Sequence, residues 1–532
     1  MKKMVLLGDE AVAQGAIDSG ISGVYAYPGT PSTEITEYIQ RSGVARERGL
    51  HSEWSANEKT AMEAALGMSY AGKRALVCMK HVGLNVAADA FINSAITGVH
   101  GGLVVLAADD PSMHSSQNEQ DSRFYGKFSL LPVLEPADQQ ECYDLVRQAF
   151  DLSERYGLPV LMRLTTRLAH SRSGVSVKAA REENEMKLPD DPTQFILLPV
   201  FARKRYKALL EMQGKLESDA GQMGNNILTD GKDRSRGIIA CGIAHNYYRE
   251  IARKHRLDYP VLKISHYPVP PRMFRQLAES TDELVIFEEG FPMLEELLTG
   301  MLESRFRVHG RLSGAIPRDG ELNPGIVARA LGMESGEGQP VPEVVTGRPP
   351  ALCKGCGHID MYNALNAALE PYGPGRVFSD IGCYTLGALP PYNAINSCVD
   401  MGASVTMAKG ASDAGLRPSV AVIGDSTFTH SGMTGLLDAV VEQTPVTVII
   451  SDNSTTGMTG GQKSHATNRL YAICRGLGVE EEHIIELNPL KKNHEENRRI
   501  IAGELEYEGV SVIISARECI QTAIRRKKKD KK

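Results

Sequence analysis

The amino-acid sequence predicts an α/β protein of several domains, with open, mostly parallel sheets covered by helices. Three observations predict it. Short apolar runs rich in Val, Ile and Leu alternate with helix-like stretches, the pattern of successive β-α-β units. The 532 residues, 42% apolar and 23% charged, suffice for about three or four domains with cores of their own. A Gly-, Pro- and Glu-rich stretch, GMESGEGQPVPEVVTGRPP at 332–350, reads as an exposed linker between such domains.

In chain order, residues 1–172 hold the strand-like runs KMVLLGD, GVYAYPG, RALVCM, GGLVVLAADD and LPVLMRLTT, with a helix from Glu10 and a second in NEKTAMEAALGMSYAG. Residues 173–234 are polar and charged, with FILLPV as their one sheet-like run, and are expected to be a connector or excursion. A second α/β segment at 235–331 carries GIIACGIA, YPVLKISHY and DELVIFEEG. After the linker, residues 351–522 carry RVFSDIGC, SVAVIGD, PVTVIISD, HIIEL and VSVIIS. The basic stretch 523–532, ending RRKKKDKK, is expected to be a solvated, disordered tail.

Net charge is −6 with pI near 6.2, so no broad basic face is offered to nucleic acid. No run approaches the ~18 apolar residues of a membrane span. Gly8-Asp9-Glu10 interrupts the N-terminal apolar run well before a secretory core could form, so a cytoplasmic location is expected. Nine cysteines then read as reduced thiols or metal ligands before disulfides.

The most informative stretch is GDSTFTHSGMTGLLDAVVEQTPVTVIISDNSTTGMTGGQ, residues 424–462. One strand delivers Gly424-Asp425 to its carboxyl end and the next delivers Asp452-Asn453 to the same edge. Mg²⁺ takes octahedral oxygen donors and shares them with a diphosphate. Asp425, Asn453 and the Thr455 carbonyl would supply the protein's part, and Gly457, Gly460 and Gly461 would let backbone amides approach the anion. Gly-Asp alone is a common turn and Asn-Ser a common loop; together, at this spacing, they resemble the thiamine diphosphate motif, Gly-Asp-Gly followed by Asn. Ser426 replaces its second glycine. The resemblance implies a thiamine-diphosphate-binding fold, with Asp380, Gly382, Cys383, Gly402, Gly424, Ser426, Met458 and Thr459 among the cofactor contacts.

Thiamine also needs a carboxylic acid on its aminopyrimidine ring, to favour the tautomer that activates the cofactor. In HSEWSANEKTAMEAALGMSYAGKRALVCM, Glu58 stands on a predicted helix ahead of Gly67, and the segment resembles the helix that presents the activating glutamate. Taken singly, Glu58 and Glu63 would pass for solvent-facing helix residues.

ALCKGCGHIDMYNAL places Cys353 and Cys356 in a C-x-x-C loop before a helix, Cys383 follows the next strand, and Cys519 follows the last. C-x-x-C alone is half a zinc site, a redox pair or coincidence. With YPGTPSTE, EWSANEK, MKHVGLNVAAD, ADDPSMHSSQNEQDSRFY, SDIGCYTLGALPPYNA and GDSTFTHSG, the chain resembles, over nearly its whole length, the α subunits of indolepyruvate ferredoxin oxidoreductases in the 2-oxoacid:ferredoxin oxidoreductase superfamily. The resemblance implies that Cys353, Cys356, Cys383 and Cys519 hold one [4Fe–4S] cluster. It makes 1–172 a pyrimidine-binding domain, 235–331 a transketolase C-terminal-like domain and 351–522 a diphosphate-binding domain, the first and last associating around the cofactor.

The implied reaction is oxidative decarboxylation of a 2-oxo acid, an aryl pyruvate such as indolepyruvate, to acyl-CoA and CO₂, with coenzyme A as co-substrate. Electrons pass to ferredoxin or another carrier. A smaller β subunit and an α2β2 assembly are implied too. Family α subunits usually continue into a domain with two C-x-x-C-x-x-C-x-x-x-C-P runs, and none occurs between Cys519 and Lys532, so electrons are expected to leave on another protein. Thr30 matches a position that contacts the substrate carboxylate, Arg123 is a candidate for pairing with a carboxylate or phosphate, and His81 and His358 lie beside motif residues. Cys78, Cys142, Cys241, Cys398 and Cys474 are expected to be mostly buried small hydrophobes. Two rival readings stand: a non-oxidative thiamine-dependent decarboxylase or carboligase whose cysteines hold zinc or nothing, and a degenerate scaffold subunit.

Overall fold

The computed structural model describes residues 2–301, 307–334, 341–347 and 350–529. It divides into two compact units, Met1–Gln339 and Pro340–Lys532. Much of the expected linker, 335–340 and 348–349, lies outside the described residues, as do positions 530–532 of the basic tail.

Unit one holds β1 (Lys2–Leu7), β2 (Gly23–Ala26), β3 (Ala75–Lys80), β4 (Leu103–Asp109), β5 (Val133–Leu134), β6 (Val160–Thr165), β7 (Arg172–Val177), β8 (Ile227–Thr229), β9 (Gly237–Cys241), β10 (Val261–Ile264), β11 (His266–Tyr267), β12 (Glu283–Phe287) and β13 (Arg307–His309). One sheet has the order β11-β5-β6-β4-β3-β2, parallel except at β11. A second runs β13-β12-β9-β10-β8, parallel except at β8. Every residue of β3, β4 and β6 is buried, which is why their sequences are near-continuous apolar runs rather than alternating ones, Arg163 of β6 being the internal exception.

The segments 1–172 and 235–331, read as separate domains, share this unit: β11 pairs with β5. Beside that seam lies a buried ion cluster. Arg163 of β6 meets Asp109 at 2.6 Å and Glu135 at 2.5 Å, and Arg123 meets Glu288 at 2.9 Å. The stretch 173–234, expected to be a connector or excursion, supplies most of β7, which pairs antiparallel with β1, a helix at Pro199–Gln222, and β8. FILLPV forms no strand; Pro199 opens that helix at its first turn, where a missing N–H costs nothing.

Unit two holds β14 (Val377–Ser379), β15 (Val420–Gly424), β16 (Val446–Asp452), β17 (Thr455–Thr456), β18 (Gln462–Lys463), β19 (Ile484–Leu487) and β20 (Val510–Ala516). Its main sheet, β14-β15-β16-β20-β19, is parallel throughout, so all five carboxyl ends share one edge. The period of two divides each strand between two cores. Ala421 and Ile423 pack on one face with Val448 and Ile450, while Val420 and Val422 pack on the other with Ile449 and Ile513. Each buried Val or Ile contributes about 1.5–3 kcal/mol, which fixes the register and therefore which residues reach the edge.

The basic tail departs from expectation. Ile520–Lys529 is helical, and Arg525 donates to the Gly460 carbonyl while Arg526 pairs with Glu518 at 2.8 Å. Lys and Arg are good helix formers, and these two find acceptors close by. Among the described residues no helix is long and apolar enough to cross a membrane.

Candidate cofactor sites

At the shared carboxyl edge of unit two, Asp425 follows β15 and is 1% exposed. Its Oδ2 is buried without a hydrogen-bond partner. Burial, offset by a bond from Ser464, pushes its carboxyl up to about 7. A buried carboxylate oxygen without a donor is what a hard cation satisfies, so the site fits Mg²⁺. Asn453 follows β16, its Oδ1 accepting from the Thr455 amide at 3.1 Å. The Thr455 hydroxyl donates to the Gln462 carbonyl, leaving the Thr455 side chain engaged within the β17-β18 hairpin.

The hairpin turn is closed by Gly460 and Gly461, at φ of 125° and 93°, a region that residues with a Cβ rarely adopt. Thr459 Oγ1 donates to Gln462 Oε1 at 2.6 Å, and Met458 is exposed. Ser426, where the motif has glycine, places its hydroxyl 2.9 Å from that of Thr456. Gly424 has no room for a Cβ, which would stand 2.6 Å from the Tyr384 ring. Asp380 is not a free ligand: Oδ2 accepts from Ser404 and the Gly402 amide, and Tyr384 donates to Oδ1. Its role here is to hold Gly402, Tyr384 and the start of the helix Ala403–Asp413.

The same edge gathers the thiols. Cys353, Cys356, Cys383 and Cys519 all line one cavity of about 100 Å³, together with His358, Asn453, Gly457 and Arg517. Burial first, then the charges of Cys356, Cys519 and Cys353, push the Cys383 thiol up to about 12. The Cys519 amide donates to the Asn453 carbonyl at 3.2 Å, and the Arg517 amide to that of Asp452 at 2.9 Å, so the ends of β16 and β20 are sewn together. Gly382 precedes Cys383 in extended backbone. His358 Nδ1 lies 3.2 Å from Cys356 Sγ, and burial lowers that imidazole to about 4, keeping it neutral.

Among the described residues, the groups of three or more His, Cys, Asp or Glu whose ligand atoms lie within 4.8 Å of one another are Asp9–Glu34–His170 and Glu480–Glu482–His483. Of the remaining cysteines, Cys78, Cys142, Cys241 and Cys474 are buried as expected, but Cys398 is exposed. It lies in the irregular segment between Ala388 and Ala403, where no strand draws it inward.

In unit one, Glu58 opens the helix Glu58–Tyr70, whose first turn is capped by Asn57 accepting from the Thr60 amide at 2.8 Å. Glu58 is 5% exposed and lies against Gly83 of the helix His81–Thr97; a Cβ there would stand 2.6 Å from Glu58 Oε1. Thr30 is half-buried in the loop after β2. Gly29 packs that loop against Lys80 at the end of β3. Lys80 Nζ donates to the Ser115 carbonyl at 2.6 Å, and His81 Nε2 lies 3.3 Å from that of Asn118. The MKHVG segment thereby pins the loop SSQNEQDS.

Arg123 is not available to a substrate. Its Nε donates to Asp121, Nη1 to Glu288 and Tyr267, and Nη2 to Asp121 and the carbonyls of Glu289 and Phe291. Four acidic neighbours compete for two arginines here, and the guanidinium is consumed as a structural cation. Ser464, Tyr384, Lys80 and Arg517 were not singled out from sequence. Ser464, Lys80 and Arg517 make contacts distant in sequence, and Tyr384 meets Asp380 four residues back, a spacing that carries no motif of its own.

Two family models match the chain: "Pyruvate flavodoxin/ferredoxin oxidoreductase, thiamine diP-bdg" over residues 14–207, and "Thiamine pyrophosphate enzyme, C-terminal TPP binding domain" over 380–490. The class is thus that of thiamine-diphosphate-dependent oxidoreductases acting on 2-oxo acids. The chain is similar to the indolepyruvate oxidoreductase subunits IorA of Archaeoglobus fulgidus (38% identity, 97% of this chain, 86% of that one) and Methanothermobacter thermautotrophicus (39%, 97% and 87%). A solved 2-oxoglutarate:ferredoxin oxidoreductase from Magnetococcus marinus shares the fold, with TM-score 0.51 at 16% identity over 62% of this chain and 65% of that one. The chain belongs to the IorA family of indolepyruvate oxidoreductase subunits.

Proposed function

We propose that this subunit oxidatively decarboxylates an aryl pyruvate such as indolepyruvate to the acyl-CoA and CO₂, electrons leaving to ferredoxin or another carrier. When bound, thiamine diphosphate supplies the electron sink for decarboxylation and a [4Fe–4S] cluster takes up electrons singly. Glu58 holds a proton for the cofactor's ring nitrogen, from a buried position where a hydrogen bond is strengthened. Asp425, Asn453 and the Thr455 carbonyl are the oxygen donors for Mg²⁺, and Gly457 with the Gly460-Gly461 turn leaves room for the diphosphate. Thr30 binds the substrate carboxylate. Cys353, Cys356, Cys383 and Cys519 hold the cluster.

The observation that carries this reading is the single cavity lined by those four cysteines together with Asn453 and Gly457. A cluster held there would stand beside the loop proposed for the diphosphate, which supports electron transfer from the cofactor. The names of the relatives support a partner subunit, proposed as the smaller β subunit of an α2β2 enzyme in the cytoplasm.

The test is iron and acid-labile sulfide analysis of the anaerobically purified protein with its co-purifying partner, joined to assay of 2-oxo acids with coenzyme A and a viologen dye. About four of each per chain, with CoA-dependent dye reduction, is expected. Decarboxylation without dye reduction, in protein lacking iron after reconstitution, would establish the non-oxidative reading. Retained turnover in Glu58→Gln would remove Glu58 from its role.

A further inference from the structure

Outside the cofactor sites, unit one gathers a second set of ligand-type side chains. Asp9 sits in the first turn of the helix Gly8–Asp18, Glu34 in the first turn of Thr33–Arg41, and His170 ends the helix Thr166–His170. Their ligand atoms lie within 4.8 Å of one another, His170 Nε2 being 3.7 Å from Glu34 Oε2. The convergence is built by Gly8. A Cβ at that position would stand 2.2 Å from the Leu168 carbonyl, so only glycine lets the short helix bearing His170 close over Asp9.

Asp9 is fully buried, and both of its carboxylate oxygens lack any hydrogen-bond partner. Glu34 Oε2 is a third buried acceptor that makes no hydrogen bond, its facing cation being His170 Nε2 at 3.7 Å. Burial and the charge of Glu34 raise Asp9 well above the usual carboxylate range. One shared proton would satisfy two of these three oxygens. A divalent cation would satisfy all three and take the imidazole as a further ligand, since carboxylate and imidazole together suit first-row divalent ions. His170 and Glu34 are 37% and 39% exposed, which gives an ion a way in.

We propose that Asp9, Glu34 and His170 form a binding site for a divalent first-row metal ion, separate from the diphosphate Mg²⁺. The ion would tie together the starts of two helices, one of which directly follows the Thr30 loop, so it acts as a brace for that loop.

The test uses Mn²⁺, which favours oxygen and imidazole over thiolate, titrated by electron paramagnetic resonance into the full chain with its partner and saturating thiamine diphosphate. Two bound Mn²⁺ per chain are expected, with one lost in both Asp9→Asn and His170→Ala while the diphosphate-dependent ion remains. A rise in melting temperature with Mn²⁺, absent from both variants, is expected alongside. His170→Ala alters a half-exposed side chain, and its retained diphosphate-dependent ion reports an intact fold. A single bound Mn²⁺ in wild type, or two in both variants, would overturn the proposal and leave Asp9 and Glu34 as a carboxyl pair sharing a proton.

Discussion

Cys383 Sγ lies directly against Gly457: a Cβ on Gly457 would approach the sulfur to 3.0 Å. A candidate cluster thiol and the candidate diphosphate loop therefore touch, with no side chain between them. Gly457→Ala should displace one or the other by a few tenths of an ångström. The expected result is a shifted reduced-cluster resonance and about tenfold weaker thiamine diphosphate binding, or about 1.4 kcal/mol, with the melting temperature little changed. An unaltered spectrum and affinity would mean that the contact carries nothing.

The Glu58 carboxyl is held in the same way by an absent side chain. Gly83→Ala places a methyl 2.6 Å from Oε1 and 2.7 Å from Cγ, on a helix with no slack. Misplacing a catalytic acid by about an ångström costs on the order of 10²-fold in rate. Steady-state dye-reduction kinetics should show that loss in kcat. Wild-type kcat in Gly83→Ala would show that Glu58 moves without consequence.

Arg123 and Cys356 lead to opposite expectations. Arg123→Ala removes one partner from a buried ion cluster and should destabilise by about 3–5 kcal/mol, read as a lowered denaturant midpoint. A change confined to KM would restore the substrate role that the geometry denies it. Cys356→Ala, and likewise Cys353, Cys383 and Cys519, should lose bound iron, whereas Cys78→Ala and Cys398→Ser should retain it.

Lys80 makes stability depend on pH in a stated direction. Burial lowers its ammonium from 10.5 to about 8. Below about 8 both folded and unfolded chains hold the proton, and the folded state bears the full cost of a buried charge. Between about 8 and 10.5 the unfolded chain binds more protons, so this group's contribution to stability rises with pH. Urea midpoints of wild type relative to Lys80→Met should climb across that window. A flat or falling difference would show that Lys80 is not the titrating group.

The sequence by itself determined what depends on local spacing. Apolar runs fixed the strands because parallel strands buried on both faces are mostly apolar, and Gly424-Asp425, Asn453, Cys383 and Cys519 could be placed at strand ends because chain order and parallel pairing dictate which ends share an edge. Where the chain offered no such rule, reading failed. Arg123 looked like a free cation until Asp121, Glu288 and Tyr267, two of them distant in sequence, consumed its donors. The tail looked disordered until Gly460 and Glu518 gave its arginines acceptors. Asp9, Glu34 and His170 carry no spacing that a motif could encode, because the glycine that joins them acts through a contact with Leu168. Tertiary structure alone decided these, since a long polar side chain goes to whichever partner the packed backbone brings within reach, and that partner is rarely its neighbour in sequence.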